Sequence, residues 1–216
     1  MTLEAVLWDM DGTLVRTEEL WLLSEERTMA DFGSHWDAQD QAVAVGGPMD
    51  RVISYMAERV GRPEAEVADR IIAEIEDLMR TSHIAWMPGA RELHEELAAA
   101  GIPQALVSNS WRELVDAALT DLDTSFRVVI AGDEVAHPKP DPEPYALACA
   151  RLNARPQHTV VLEDSPTGVA AGLAAGCHVV AIPHIGGIAP APRLTILDTL
   201  AGVTLALLDA IADGAR

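Results

Sequence analysis

Ala5-Val6-Leu7-Trp8-Asp9-Met10-Asp11-Gly12-Thr13-Leu14 decides how this chain is read. Four apolar residues end abruptly in two acids that flank Met10, and a glycine turn follows. A short apolar run of this kind fits a strand buried on both faces. Similar runs recur at Ala105–Val107, Val128–Ala131, Thr159–Leu162 and Val179–Ile182. Between them, Gly89–Ala100, Trp111–Leu119 and Pro142–Leu152 carry helix-like apolar spacing. Strands alternating with helices predict an α/β architecture, a doubly wound parallel sheet.

The stretch from Arg16 to about Ala85 interrupts this alternation. Thr17–Phe32, Met49–Val60 and Pro63–Met79 all read as helical, and no convincing strand lies among them. Pro63 ahead of Glu64 and Glu66 is a helix start. The expectation is a helical insertion after the first strand, with Trp86-Met87-Pro88-Gly89 marking the return to the sheet.

Composition narrows the partners. The chain has 216 residues, 49% hydrophobic and 23% charged, enough for a sizeable core. Its 34 Asp and Glu outnumber 15 Lys and Arg, giving a net charge of −19. Nucleic acid and anionic membranes are therefore not expected as partners. The long stretch without acids or bases, Ser165 to Pro192, contains four prolines and five glycines, so a buried helix and strand explain it better than a membrane span. Met1-Thr2-Leu3-Glu4 lacks the basic start of a secretion signal, so a cytoplasmic location is expected. Two cysteines, Cys149 and Cys177, build neither a disulfide framework nor a zinc site. The sequence leaves the oligomeric state open, and a monomer is compatible with it.

In open α/β sheets ligands bind beyond the carboxyl ends of the strands. Those ends here deliver Asp9 and Asp11, then Ser108-Asn109-Ser110, then Lys139 by way of Gly132-Asp133-Glu134, and finally Glu163-Asp164-Ser165. Lys139 is the single lysine against fourteen arginines, and prolines flank it. Each piece has a plainer reading taken alone. Glu163 and Asp164 could be a solvated pair capping the helix near Pro166, Ser108 and Asn109 could be turn residues, and exposed acids are common. Gly168, Gly172 and Gly176 are expected to let a helix pack closely on the sheet. Only the convergence of all four groups resists the plainer account. Clustered carboxylates repel and need protons or a cation. Oxygen-only ligands favour a hard ion such as Mg2+. Such a site, with a lysine and hydroxyls beside it, suits a phosphoryl group. Asp9 could attack phosphorus while Asp11 handles the leaving group's proton.

The four segments resemble the motifs of the haloacid dehalogenase superfamily, chiefly its phosphatases with a helical cap. The carriers are Asp9-Met10-Asp11-Gly12-Thr13-Leu14, Ser108 within Leu106–Ser110, Lys139-Pro140-Asp141-Pro142, and Glu163–Gly168, in family order over nearly the whole chain. The resemblance implies a Rossmann-like core formed by residues 1–15 and 86–216, with an all-helical cap at 16–85. It implies Asp9 as nucleophile, Asp11 as general acid and base, and Ser108, Asn109 and Lys139 as phosphate-binding. It implies Mg2+ on Asp9, Asp11 and Asp164, with Glu163 a direct or outer ligand. The implied substrate is a small phosphorylated metabolite.

Motif style is similar to β-phosphoglucomutase-like and phosphoglycolate-phosphatase-like members. A mutase is the alternative, but in Arg16-Thr17 the arginine stands where that group carries Asp ahead of Ser or Thr, and Trp21 and Met49 stand where it carries a histidine and a phosphate-gripping arginine. Arg51 lies close to the last of these positions. Receiver-like or binding-only modules are the non-enzymatic alternatives. Arg16, Trp21, Arg51 and Trp111 are candidates for substrate selectivity.

Overall fold

The computed structural model describes residues 1–44, 48–120, 122–183 and 187–214. Among these described residues six parallel strands form one sheet in the order β3-β2-β1-β4-β5-β6. They are β1 (Ala5–Trp8), β2 (Gln104–Val107), β3 (Val128–Ile130), β4 (Thr159–Glu163), β5 (His178–Ala181) and β6 (Leu194–Ile196). Leu7 at the centre pairs with Ala105 on one side and Val161 on the other. All four residues of β1 are fully buried, as a strand covered on both faces must be.

The side chains separate by the two-residue strand period. Val6, Trp8, Leu106, Val160 and Leu162 enter one core layer. Leu7, Ala105, Val107 and Val161 enter the other. The first layer is closed by α5 (Ala90–Ala99), α6 (Arg112–Leu119) and α9 (Leu205–Ala212). The second is closed by α7 (Glu143–Leu152) and α8 (Pro166–Ala174). The sheet is thus doubly wound, with the order reversing where β1 meets β4. That reversal opens a crevice beyond their carboxyl ends.

Between β1 and α5 lie α1 (Glu18–Asp31), α2 (Ala38–Ala44), α3 (Met49–Val60) and α4 (Glu64–Thr81). Met29, Trp36, Met56, Val67 and Ile71 give these helices a core of their own. Arg70 to Asp31 at 2.6 Å and Arg27 to Glu74 at 2.7 Å tie α4 to α1 at the surface. The chain leaves and re-enters the sheet layer at adjacent points. Val15 bridges antiparallel to Trp86, and the Arg16 amide donates to the Ala85 carbonyl at 2.9 Å.

The glycines expected to help α8 pack divide their work. A Cβ on Gly172 would lie 2.9 Å from a Val179 methyl, so this one does allow close helix–sheet packing. Gly168 instead makes room for Glu163, and Gly176 lies beyond the helix with φ +91. Among the described residues no helix is long and apolar enough to cross a membrane.

Candidate active site

Asp9, Asp11, Ser108, Asn109, Lys139 and Asp164 line one cavity of about 290 Å³. Residues from four separate segments thus meet at the crevice that the strand order creates.

Lys139 is the centre of the arrangement, only 2% exposed. Its Nζ donates to Asp9 Oδ1 at 2.6 Å, to the Val107 carbonyl at 2.8 Å and to Glu163 Oε1 at 2.8 Å. Burial opposes its charge, but Asp9 and Glu163 outweigh that and hold the ammonium above the usual lysine range. Asn109 fixes the lysine's backbone from both sides. Its Nδ2 donates to the Lys139 carbonyl at 3.2 Å and its Oδ1 accepts from the Lys139 amide at 3.0 Å. The Asn109 side chain is thereby committed to the lysine loop. Ser108 is buried, and its Oγ accepts from the Ser110 amide at 3.0 Å.

Glu163 is fully buried and its oxygens are taken. Oε1 accepts from Lys139 and from the Tyr145 hydroxyl at 2.7 Å. Oε2 accepts from the Ser165 amide at 3.2 Å and hydroxyl at 3.0 Å. Ser165 also accepts from the Gly168 amide at 3.0 Å, so the serine caps α8, not the acidic pair before it. A Cβ on Gly168 would lie 1.6 Å from Glu163 Oε1, so only glycine fits beside that carboxylate.

Asp11 is held by three donors. Thr17 Oγ1 at 2.5 Å and Trp21 Nε1 at 2.8 Å both donate to Oδ1, and Ser110 Oγ donates to Oδ2 at 3.0 Å. Sequence reading missed Tyr145, Thr17 and Ser110 in these supporting roles. Ser110 left a trace as part of the strand-end segment Ser108-Asn109-Ser110, and Thr17 as part of Arg16-Thr17, whereas Tyr145 left none.

Asp9, Glu163 and Asp164 offer carboxylate oxygens within 4.8 Å of one another. Burial and then the Glu163 charge push the Asp9 carboxyl up to about 8. Burial and then the Asp9 charge push Asp164 up to about 9. An all-oxygen set this strained by its own charge fits a hard divalent cation. Gly12, with φ +76, brings bare backbone against it. A Cβ there would lie 2.3 Å from Asp164 Oδ2.

The selectivity candidates separate. Trp21 lines the cavity, although its indole N–H is committed to Asp11. Arg16 is exposed and lines a different cavity, with Thr13, Asp198 and Thr199, because its backbone pairs with Ala85 at the junction. Arg51 is exposed and turned away, its Nη2 donating to the Val43 carbonyl of α2 at 2.7 Å. Trp111 is half-buried against the core of the inserted helices, so packing takes up its ring. None of these three is among the cavity's lining residues.

A doubly wound sheet whose strand ends bring carboxylates around one buried lysine defines a class of carboxylate-based α/β enzymes. The chain belongs to the haloacid dehalogenase-like hydrolases, whose family profile matches residues 6–182. It is 33% identical over 202 residues to hexitol phosphatase A of Escherichia coli K12, covering 92% of this chain and 90% of that one. It is 31% identical over 210 residues to the bifunctional riboflavin kinase/FMN phosphatase of Arabidopsis thaliana. That match covers 94% of this chain but only 53% of the longer plant protein. The crystal structure of CbbY from Rhodobacter sphaeroides with phosphate superposes with a TM-score of 0.86 at 30% identity, covering 96% and 99% of the two chains.

Proposed function

We propose that the protein is a Mg2+-dependent phosphatase that hydrolyses a small phosphorylated metabolite through an aspartyl-phosphate on Asp9. One observation carries this reading: Lys139 spans Asp9 and Glu163 at 2.6 and 2.8 Å, in the cavity that Asp11, Ser108 and Asp164 share. The phosphatase activities for which the similar Escherichia coli and Arabidopsis thaliana proteins are named support it. In this reading residues 1–15 and 86–216 form the catalytic core and residues 16–85 the cap that meets the leaving group.

Lys139 occupies Asp9 Oδ1, and Oδ2 has no protein donor among the described residues. That oxygen attacks phosphorus, the bond to the leaving oxygen breaks, and Asp11 supplies the proton that oxygen takes. Oδ1 of Asp11 already accepts from Thr17 and Trp21, so the transferable proton belongs on Oδ2, opposite the Ser110 hydroxyl. Water then attacks the acyl phosphate and gives its proton to Asp11, Asp9 is restored, and orthophosphate leaves. Ser108 Oγ–H and the Lys139 ammonium hold the phosphoryl oxygens throughout. Asp9, Asp164 and the Asp11 backbone carbonyl would hold Mg2+, with Glu163 serving from outside because four donors already engage it. When bound, the ion neutralises charge on the phosphoryl oxygens.

The test is phosphate release with Mg2+ across a set of phosphomonoesters, comparing wild type with Asp9→Asn. Release that is lost in the variant, together with acid-stable label on wild-type protein from a phosphorus-labelled substrate, is expected. Appreciable turnover by Asp9→Asn overturns the nucleophile.

A further inference from the structure

Glu18, Trp21, Leu22 and Glu25 follow helical spacing along α1, and all four line the cavity. Glu25 is only 7% exposed. Its Oε2 accepts from Trp36 Nε1 at 2.7 Å, and Trp36 is itself buried. Its Oε1 has no donor among the described residues. A buried carboxyl with one oxygen fixed and the other open to a cavity is half of a binding contact, since leaving such an oxygen unmatched costs free energy. The wall around it is apolar, from Leu22, Ala44, Met49 and Val52, with the Gln41 amide as a further polar group. Cationic groups are scarce there. Lys139 is the only lysine or arginine among the described lining residues, and Asp9 and Glu163 already hold its ammonium.

We infer that Glu25 is a substrate-binding residue that receives a hydroxyl of the leaving group. The cap wall it anchors then admits an uncharged, hydroxyl-bearing carbon chain carrying one phosphate and rejects a second phosphate or a carboxylate. The inference rests on the phosphatase reading for the position of the reacting end. A second anion would face Glu18, Glu19 and Glu25 with no cation to answer it, and such repulsion is an effective device of specificity. Burial pushes the Glu25 carboxyl up to about 7. Near neutral pH it therefore offers a hydroxyl partner both a donor and an acceptor.

The test is equilibrium binding by calorimetry to Asp9→Asn protein in Mg2+, with a hexitol 6-phosphate, the matching 1,6-bisphosphate and phosphoglycolate as probes. The monophosphate should bind at least tenfold more tightly than either of the others. Adding Glu25→Lys should compress that preference at least tenfold. The near-isosteric Glu25→Gln should relax the exclusion of the bisphosphate about threefold or more while the fold is kept. Equal affinity for the three probes, or a preference that neither substitution moves, overturns the inference. Phosphate release by the wild-type protein is read separately. Its absence with the binding preference intact would sink the hydrolase reading and spare the role of Glu25.

Discussion

Lys139 places one ammonium among three acceptors at 2.6 to 2.8 Å in a space that is almost closed. A guanidinium is planar and larger, and it cannot point at three converging oxygens at once. Lys139→Arg should therefore lose about 100-fold or more in kcat, in line with the loss of a main charge-stabilising group. Near-parental turnover would show the point charge to be dispensable. Gly168→Ala inserts a carbon 1.6 Å from Glu163 Oε1, so the carboxylate must shift and the lysine with it. A stability loss of about 1–3 kcal/mol in urea unfolding is expected, as for other overpacked sites. Glu25 yields a pH signature. Its carboxyl rises from 4.5 to about 7 in the fold, mainly by burial, with Glu26 adding and Trp36 opposing. The folded state thus holds the proton more tightly, and this contribution is full below pH 4.5 and lost as pH climbs through 7. Wild type should lose up to about 3 kcal/mol across that window relative to Glu25→Gln. Parallel stability curves for the two proteins would contradict it.

At the scale of elements, α1 reaches the chemistry directly. The Trp21 indole donates to Asp11 at 2.8 Å while its ring packs against both the sheet-layer core and the core of the inserted helices. Trp21→Phe keeps most of the ring and removes the donor. A hydrogen bond to a charged group is worth about 1.5–3 kcal/mol, so kcat should fall about tenfold or more. Steady-state kinetics on a phosphomonoester would show this as a kcat effect, and a change in KM alone would assign Trp21 to binding. The strands that carry motifs were legible because each is an unbroken apolar run ending in polar residues. Strand β6 was not. It has three residues, its last is exposed, and Pro190 and Pro192 precede it. Helix α2 was missed for a related reason, as seven residues of Ala38-Gln39-Asp40-Gln41-Ala42-Val43-Ala44 hold no apolar stripe. Tyr145 was invisible as a partner of Glu163 because the contact depends on how α7 packs against β1, β2 and β3, which no local spacing records.

At the scale of the molecule, the carboxylates gathered at the crevice are tolerable only with protons or a cation, and the chain as a whole carries a net charge of −19. Mg2+ binding to the folded protein should raise its melting temperature, because a ligand at 100 times its Kd stabilises by about 2.7 kcal/mol. Asp164→Asn should weaken that response, and chelation should abolish turnover. A melting temperature indifferent to Mg2+ would separate the acids from any metal. Convergence of the four strand ends was foreseeable from the chain, because parallel strands in such a sheet share one carboxyl edge. The fate of the arginines was not. Arg16 and Arg51 lie near the relevant segments in sequence, yet a backbone pairing and a helix-end carbonyl take them elsewhere.

The seam where Val15 meets Trp86 has an evolutionary consequence. Because the polypeptide departs and comes back side by side, a lineage can trade the intervening stretch as one block, provided the replacement again brings donors to Asp11 where Thr17 and Trp21 now stand. Protein engineers grafting foreign helices should cut at this same doorway and carry the pair of donors across with the graft.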